Sequence, residues 1–281
     1  MKLSQRLAIG YIRTKFKILS ALSATRAAEN AFHLFCTPYL KSKPYTPAVF
    51  EHAERLSFNL NNKNIHGFRW NYPQQQKVLI LHGFGSAAHK FHHLVQPLID
   101  KGYEVLAFDA PAHGLSDGNT VNVIDYCAMI KQVMLLYGPI DNFIAHSFGG
   151  IAVSLALEEI EHPVFTKVVL IAPATETLSA VNGAFDMLRL NNKKVRTAFD
   201  NIILKIIGKE AAWFSIRRAV KNITASILWI HDEDDDITPF KDVIQVKNDN
   251  PPNIKFVITK GLGHKRIYRD KDVKEIIMGF L

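Results

Sequence analysis

The stretch Asn142-Phe143-Ile144-Ala145-His146-Ser147-Phe148-Gly149-Gly150-Ile151-Ala152-Val153 decides how this chain is read. An apolar run ends at a serine, small residues follow, and a helical pattern continues to Glu159. A strand that passes straight into a helix through a sharp turn needs small residues around it, and it lifts the serine hydroxyl clear of the backbone. The helix then aims its unpaired first N–H groups and the positive end of its dipole at the same spot. Ser147 is placed to attack a carbonyl carbon, with the Phe148 N–H facing the developing oxyanion. A serine in a glycine-rich helix start can also be a mere cap, and short patterns recur by chance, so the rest of the chain must decide.

Short apolar runs recur on both sides of this motif. Strands are predicted at Lys77–Leu81, Glu104–Phe108, 142–145, 167–172, 226–230 and Ile254–Thr259, with helices between them at 121–137, Phe148–Glu159 and from Ile267 onward. Alternation of this kind implies an α/β fold with a mostly parallel, doubly wound sheet and right-handed crossovers. Residues 54–72 read as a hairpin turning at Asn61-Asn62-Lys63-Asn64. A helical N-terminal region reaches about Phe35, where Pro38, Pro44 and Pro47 end it. Between 172 and 226 lie about fifty residues rich in large apolar groups, too many for a structureless loop. They predict a helical insertion after the sixth strand, which would act as a lid if set above the carboxyl ends of the strands. The expected organisation is an N-terminal helical extension (1–53), a core in two parts (54–175 and 225–281) and the helical lid (176–224).

Composition narrows the class. A chain of 281 residues with 48% hydrophobic and 21% charged residues is an ordinary globular protein. Its two cysteines, Cys36 and Cys127, form no disulfide framework, which fits a reducing cytoplasm. Lysines and arginines interrupt any signal-like apolar core near the N-terminus, so export is not expected. Of the net charge of +8, six charges fall within residues 1–28, which hold no acid. On a helix, Lys2, Arg6, Arg13 and Lys17 share one face and Ala8, Ile12, Phe16 and Leu19 another. Such a helix either packs its apolar side within its own protein, the simpler expectation, or meets an anionic membrane or partner. Nucleic acid is disfavoured, since charge beyond residue 28 is nearly balanced and no basic stripe alternates with aromatics.

Three further motifs accompany the serine: His82-Gly83-Phe84-Gly85 after one strand, His231-Asp232-Glu233-Asp234-Asp235-Asp236-Ile237-Thr238-Pro239 after another, and Gly261-Leu262-Gly263-His264 after the last. His89, His92 and His93 lack metal-site spacing and read as surface helix, so neither metal nor cofactor is expected.

In these motifs, and in Phe108-Asp109-Ala110-Pro111-Ala112-His113-Gly114-Leu115-Ser116, residues 54–281 resemble the α/β-hydrolase superfamily in its lipase-like and esterase-like branch. The order serine, acid, histidine is that family's. The resemblance implies Ser147 as nucleophile, His264 as base, and the Phe84 and Phe148 amides as the oxyanion hole. His82 is then a structural hydrogen-bonder. The family's spacing to Pro239 assigns the acid to Asp235, with Asp234 the rival, and leaves the other aspartates as a solvated loop or turn. Ala145 and Ala112 stand where glycine is common, which alanine satisfies if φ stays negative. Asp232 also stands where relatives often have glycine.

The function so implied is hydrolysis of a small-molecule ester or thioester with a hydrophobic acyl part, through an acyl-enzyme. Alternatives on the same fold are a non-catalytic binding or scaffold protein, a carbon–carbon bond hydrolase, and a peptidase. A peptidase would anchor its substrate amine on an acid such as Glu176, Asp186, Asp200 or Glu210. Dehalogenase and epoxide hydrolase chemistry is disfavoured, because those relatives carry aspartate where this chain has Ser147.

Overall fold

A computed structural model describes residues 3–38 and 46–281, with side chains in the first helix from Ile9 onward. Lys2 and Pro44, and the side chains of Arg6 and Ala8, therefore lie outside the described residues. In chain order the first helices are α1 (Leu3–Leu22), α2 (Ala24–Cys36) and the short α3 (Ala48–Glu51). Next come β1 (Glu54–Leu60), β2 (Lys63–Trp70), β3 (Lys77–Leu81), α4 (His92–Asp100), β4 (Glu104–Phe108) and α5 (Val123–Tyr137). The middle of the chain holds β5 (Asn142–His146), α6 (Phe148–Glu159), β6 (Lys167–Ile171), α7 (Thr177–Leu188), α8 (Lys193–Ile207) and α9 (Ile216–Ala219). The last elements are β7 (Ser226–Asp232), α10 (Phe240–Asn248), β8 (Ile254–Thr259), α11 (Gly263–Arg266) and α12 (Lys271–Phe280).

These elements form two compact units. One comprises residues 38–175 and 216–281, and holds a single eight-stranded sheet in the order β1-β2-β4-β3-β5-β6-β7-β8. Only β2 runs antiparallel to its neighbours, and β4 through β8 are parallel. The β1–β2 turn is two residues long, with Asn61 and Asn62 at φ 50° and 61°. Both positive values are those of the type I′ hairpin, which asparagine tolerates better than most residues. The inner strands are covered on both faces, which is why they appear in sequence as unbroken apolar runs rather than alternations. Val78, Leu79, Ile80 and Leu81 of β3 are all fully buried, as is Trp229 of β7. Cutting one such leucine to alanine costs roughly 2–5 kcal/mol. Helix α6 is buried nearly all round, from Gly149 to Leu157, which fixes the turn preceding it. Helix α5 starts on a reciprocal cap between Asn122 and Asp125.

The other unit comprises residues 1–37 and 176–215. Helix α2 lies along α8, and α1 packs against α2 and α7. Phe199 of α8 sits among the rings of Phe32, Phe35 and Phe185, at centroid separations of 5.9, 6.1 and 5.1 Å. The N-terminal helices and the insertion after β6 thus share one small core. Amphipathicity in the sequence cannot specify such a pairing, because it marks an apolar face without naming what covers it. Among the described residues, no helix is long and apolar enough to cross a membrane.

Candidate active site

Every motif singled out in the sequence lies just beyond the carboxyl end of a parallel strand, where ligands gather in open α/β sheets. Ser147 occupies the turn between β5 and α6 at φ 54°, ψ −116°. For a non-glycine residue this is a strained conformation, of the kind that persists where surrounding structure over-determines it. Two glycines permit the packing. A Cβ on Gly149 would come within 2.8 Å of the Leu81 and His82 carbonyl oxygens, and one on Gly83 within 2.9 Å of the Ser147 Cβ. The Ser147 carbonyl accepts from the amides of Gly150 and Ala174, which locks the turn.

The Ser147 hydroxyl is 3.0 Å from His264 Nε2, and His264 Nδ1 is 2.8 Å from Asp235 Oδ2. All three residues are buried. Since a carboxylate only accepts, Nδ1 carries the proton and Nε2 is left to accept from the serine. Asp235 also accepts at Oδ1 from the Ile237 and Thr238 amides, both at 2.8 Å, and at Oδ2 from the Thr238 hydroxyl at 2.8 Å. Burial alone would raise its carboxyl, but the hydrogen bond and charge of His264 and these amides outweigh that and hold it at about 2. Asp235 therefore stays ionised in any ordinary buffer. Thr238, missed in the sequence, could have been found as the end of a D-x-x-T turn closed by proline. His231 adds a buried support behind the acid, its Nε2 donating to the Thr238 carbonyl at 2.9 Å.

The acid cluster corrects one sequence expectation. Asp232 is not a solvated loop residue but fully buried. Its Oδ1 accepts from the amides of Gly263 and Asp234 at 2.9 and 3.0 Å. Its Oδ2 accepts from the Thr259 hydroxyl at 2.7 Å and the Leu262 amide at 3.0 Å. Burial pushes this carboxyl up, yet the four donors prevail and lower it. Asp232 therefore clamps the loop that carries His264, and the exposed Asp234 adds one bond to Gly261 N at 3.0 Å. Asp232→Asn puts an amide donor among donors, which should cost on the order of 3 kcal/mol of stability. A lower urea midpoint would accompany that loss, with turnover falling less than for a change at Asp235. An unchanged midpoint would contradict the clamp.

The loop after β3 is held from below. His82 is buried, and its Nε2 accepts from the Ala110 amide at 2.9 Å while Nδ1 donates to the Gly83 carbonyl at 2.8 Å. His113 repeats the pattern, accepting from Gly85 N at 2.8 Å and donating to the Pro111 carbonyl at 3.0 Å. Asp109 joins the next loops, accepting from the amides of Ala88 and Leu115 at 2.8 and 2.9 Å. Ala145 sits within β5, but Ala112 takes φ 65°, against the expectation of a negative angle. Its amide is tied to the Asp117 carbonyl at 2.8 Å, and that buried turn imposes a strain of about 1–2 kcal/mol. Above this base lies Phe84, which is 42% exposed and whose ring meets Phe148 edge-on at 5.7 Å. Phe148 opens α6, so its N–H has no acceptor within the helix.

His146, next to the serine, donates from Nε2 to the His264 backbone carbonyl at 3.1 Å, while its buried Nδ1 has no partner. Desolvation lowers His146 from 6.5 to about 3 and His82 to about 4. In the unfolded chain both take up protons near pH 6.5, whereas the folded chain resists until about 4 and about 3. Stability is thus full above pH 6.5 and falls as pH drops through this window. Each group contributes a slope approaching 1.4 kcal/mol per pH unit. Asp235 extends the loss between 3.8 and about 2, while Asp109, raised by burial, opposes it. Urea midpoints measured from neutral pH downward should decline continuously, and His146→Gln should flatten the slope. A level profile down to pH 4 would contradict the neutral, buried histidines.

Among the described residues, no group of three or more His, Cys, Asp or Glu is placed to hold a metal ion. His93 instead donates from Nε2 to the Tyr268 carbonyl at 2.6 Å.

Comparison with known proteins agrees with this architecture. A family model described as serine aminopeptidase, S33, matches residues 72–212, about half of the chain. An uncharacterized hydrolase of Bacillus subtilis (strain 168), YugF, is 30% identical over 119 residues, covering 41% of this chain. That match spans 42% of the relative's own length, well under two thirds of it. The esterase Pf2001 of Pyrococcus furiosus superimposes with a TM-score of 0.65 at 20% identity, over 87% of this chain and 95% of its own. Mouse α/β-hydrolase domain-containing protein 10 does so at 0.59 and 18%, over 81% and 97%. The sheet, the loops at its carboxyl edge and the family match converge: the chain belongs to the α/β-hydrolase superfamily, in the serine aminopeptidase S33 family.

Proposed function

We propose that this hydrolase cleaves a carboxylic ester or thioester through an acyl-enzyme, with Ser147 as nucleophile, His264 as base and Asp235 as the acid behind it. One observation carries the reading: the unbroken line from Ser147 Oγ through both His264 nitrogens to Asp235, with gaps of 3.0 and 2.8 Å. In the first step His264 Nε2 takes the hydroxyl proton as Oγ bonds to the acyl carbon, and the carbonyl electrons move onto oxygen. Asp235, ionised throughout, stabilises the imidazolium. The Phe84 and Phe148 amides receive the oxyanion, each donor worth about 3 kcal/mol of barrier. Collapse breaks the bond to the alcohol or thiol, which leaves with the proton from His264. Water, deprotonated by His264, then attacks the acyl-serine and frees the acid.

The exposed Phe84, edge-on to Phe148, the residue after the serine, supports an apolar acyl group. The ester chemistry agrees with the name of the Pyrococcus furiosus neighbour, an esterase. We place this work in the cytoplasm, a reducing compartment that suits buried thiols such as those of Cys36 and Cys127.

The peptidase alternative takes its support from the family description. Two of the acids it would use are already engaged. Glu176 Oε1 accepts from the Ser215 hydroxyl at 2.7 Å, and Asp200 pairs with Arg196 at 3.0 Å. A panel of p-nitrophenyl esters of increasing chain length, run beside aminoacyl p-nitroanilides, separates the two. The ester reading expects turnover that improves as the acyl chain lengthens beyond acetate. Cleavage of the anilides with no ester turnover would replace it with the peptidase.

A further inference from the structure

Among the described residues, helix α1 carries apolar side chains on two faces, one buried and one exposed. Phe16 is 2% exposed and packed within the helical unit, while Tyr11, Ile18 and Leu22 are 73, 56 and 78% exposed. The spacing of these three, seven and then four residues, puts them on a single stripe of the helix. Lys15 lies on the same stripe and is exposed. A helix that merely closed its own unit would turn polar residues outward along this line.

The charge of the molecule is concentrated in the same unit. Residues 1–37 and 176–215 carry twelve lysines and arginines against five acids, a net +7 of the chain's +8. Lys193 and Lys194, at the start of α8, line an open recess with Ser20, Ser23 and Leu22, so exposed ammonium groups flank the C-terminal end of the apolar stripe. Large apolar side chains in line, edged by lysines whose long stems can reach outward, suit the boundary between lipid headgroups and acyl chains.

We propose that this face of α1, with Lys193 and Lys194, docks the protein onto a bilayer surface containing anionic lipid. Complementarity of charge selects that occupant. A second copy would bring another +7 against the first, and the stripe offers one aromatic, Tyr11, rather than the interleaved set that stacking on nucleic acid requires. Docking goes beyond the catalytic reading and does not rest on it.

The test is co-sedimentation of the full chain with vesicles of phosphatidylcholine alone or mixed with phosphatidylglycerol. The protein should pellet with the mixed vesicles, stay in solution with phosphatidylcholine, and be released by raised salt. Combined Tyr11→Ser, Ile18→Ser and Leu22→Ser should cut binding about tenfold or more, as should combined Lys15→Glu, Lys193→Glu and Lys194→Glu. Both variants should keep the wild-type melting temperature and turnover of a water-soluble short-chain ester. The charge variant decides the matter if the serine variant fails to fold. Ser147→Ala should bind vesicles like the wild type, which keeps this result independent of catalysis. Wild-type protein that ignores anionic vesicles, binds both kinds equally, or pairs with itself in sedimentation equilibrium without binding vesicles would overturn the proposal.

Discussion

Ser147→Ala is expected to lower ester turnover by about four to six orders of magnitude, with little change in fold or melting temperature. The size of the effect comes from the chemistry: no other hydroxyl bonds His264 Nε2 among the described residues, and water attacking directly lacks the positioning of Oγ. Stability should change little because the strain at Ser147 lies in the backbone, which the turn and α6 enforce whichever small side chain is present. The residual rate would come from the oxyanion donors and from substrate binding alone. Measured kcat for a chromogenic ester, with circular dichroism on the same sample, checks both halves. A variant that keeps a tenth of the activity would show that the serine is not the nucleophile.

Asp235→Asn has the second largest expected effect, a loss of about 10⁴-fold in kcat with KM nearly unchanged. An asparagine there keeps the shape but can turn its amide donor toward His264, which favours the tautomer with the proton on Nε2. That nitrogen then cannot accept from Ser147. The neighbouring acids give the contrast. Asp234→Asn removes one exposed loop contact and Asp236→Asn an exposed charge, so each should stay within a few-fold of wild type. Asp232→Asn should act mainly through stability, because its bonds go to the loop and not to the imidazole. A damaging Asp234→Asn beside a mild Asp235→Asn would reverse the assignment.

Much of the fold was legible because burial on both faces leaves a direct mark in sequence. The apolar runs of β3, β4, β5 and β6 fall where they were predicted, and the hairpin turns at the asparagines that accept positive φ. The turn at Ser147 was legible for a similar reason, since Gly149 stands where backbone oxygens leave no room for a Cβ. Asp232 was not legible. A carboxylate in an acidic run looks solvated until the chain brings a hydroxyl and three amides to it, two of those amides and the hydroxyl from some thirty residues away. Ala112 misled for a different reason, because its residue type disfavours the angle that the buried turn demands. The union of α1 and α2 with α7 and α8 was hidden too. Periodicity marked the apolar face of each helix, and it had nothing to say about Tyr11, Ile18 and Leu22, whose side chains are exposed.

The central claim, that Ser147 is an activated nucleophile, is tested most directly by treating the intact protein with a fluorophosphonate and weighing it beside Ser147→Ala. A single phosphonyl adduct on the wild type, absent from the variant and mapped to the peptide carrying Ser147, is the predicted result. Folded wild-type protein that stays unmodified on prolonged exposure would contradict it, and would make the chain a binding protein on a hydrolase fold.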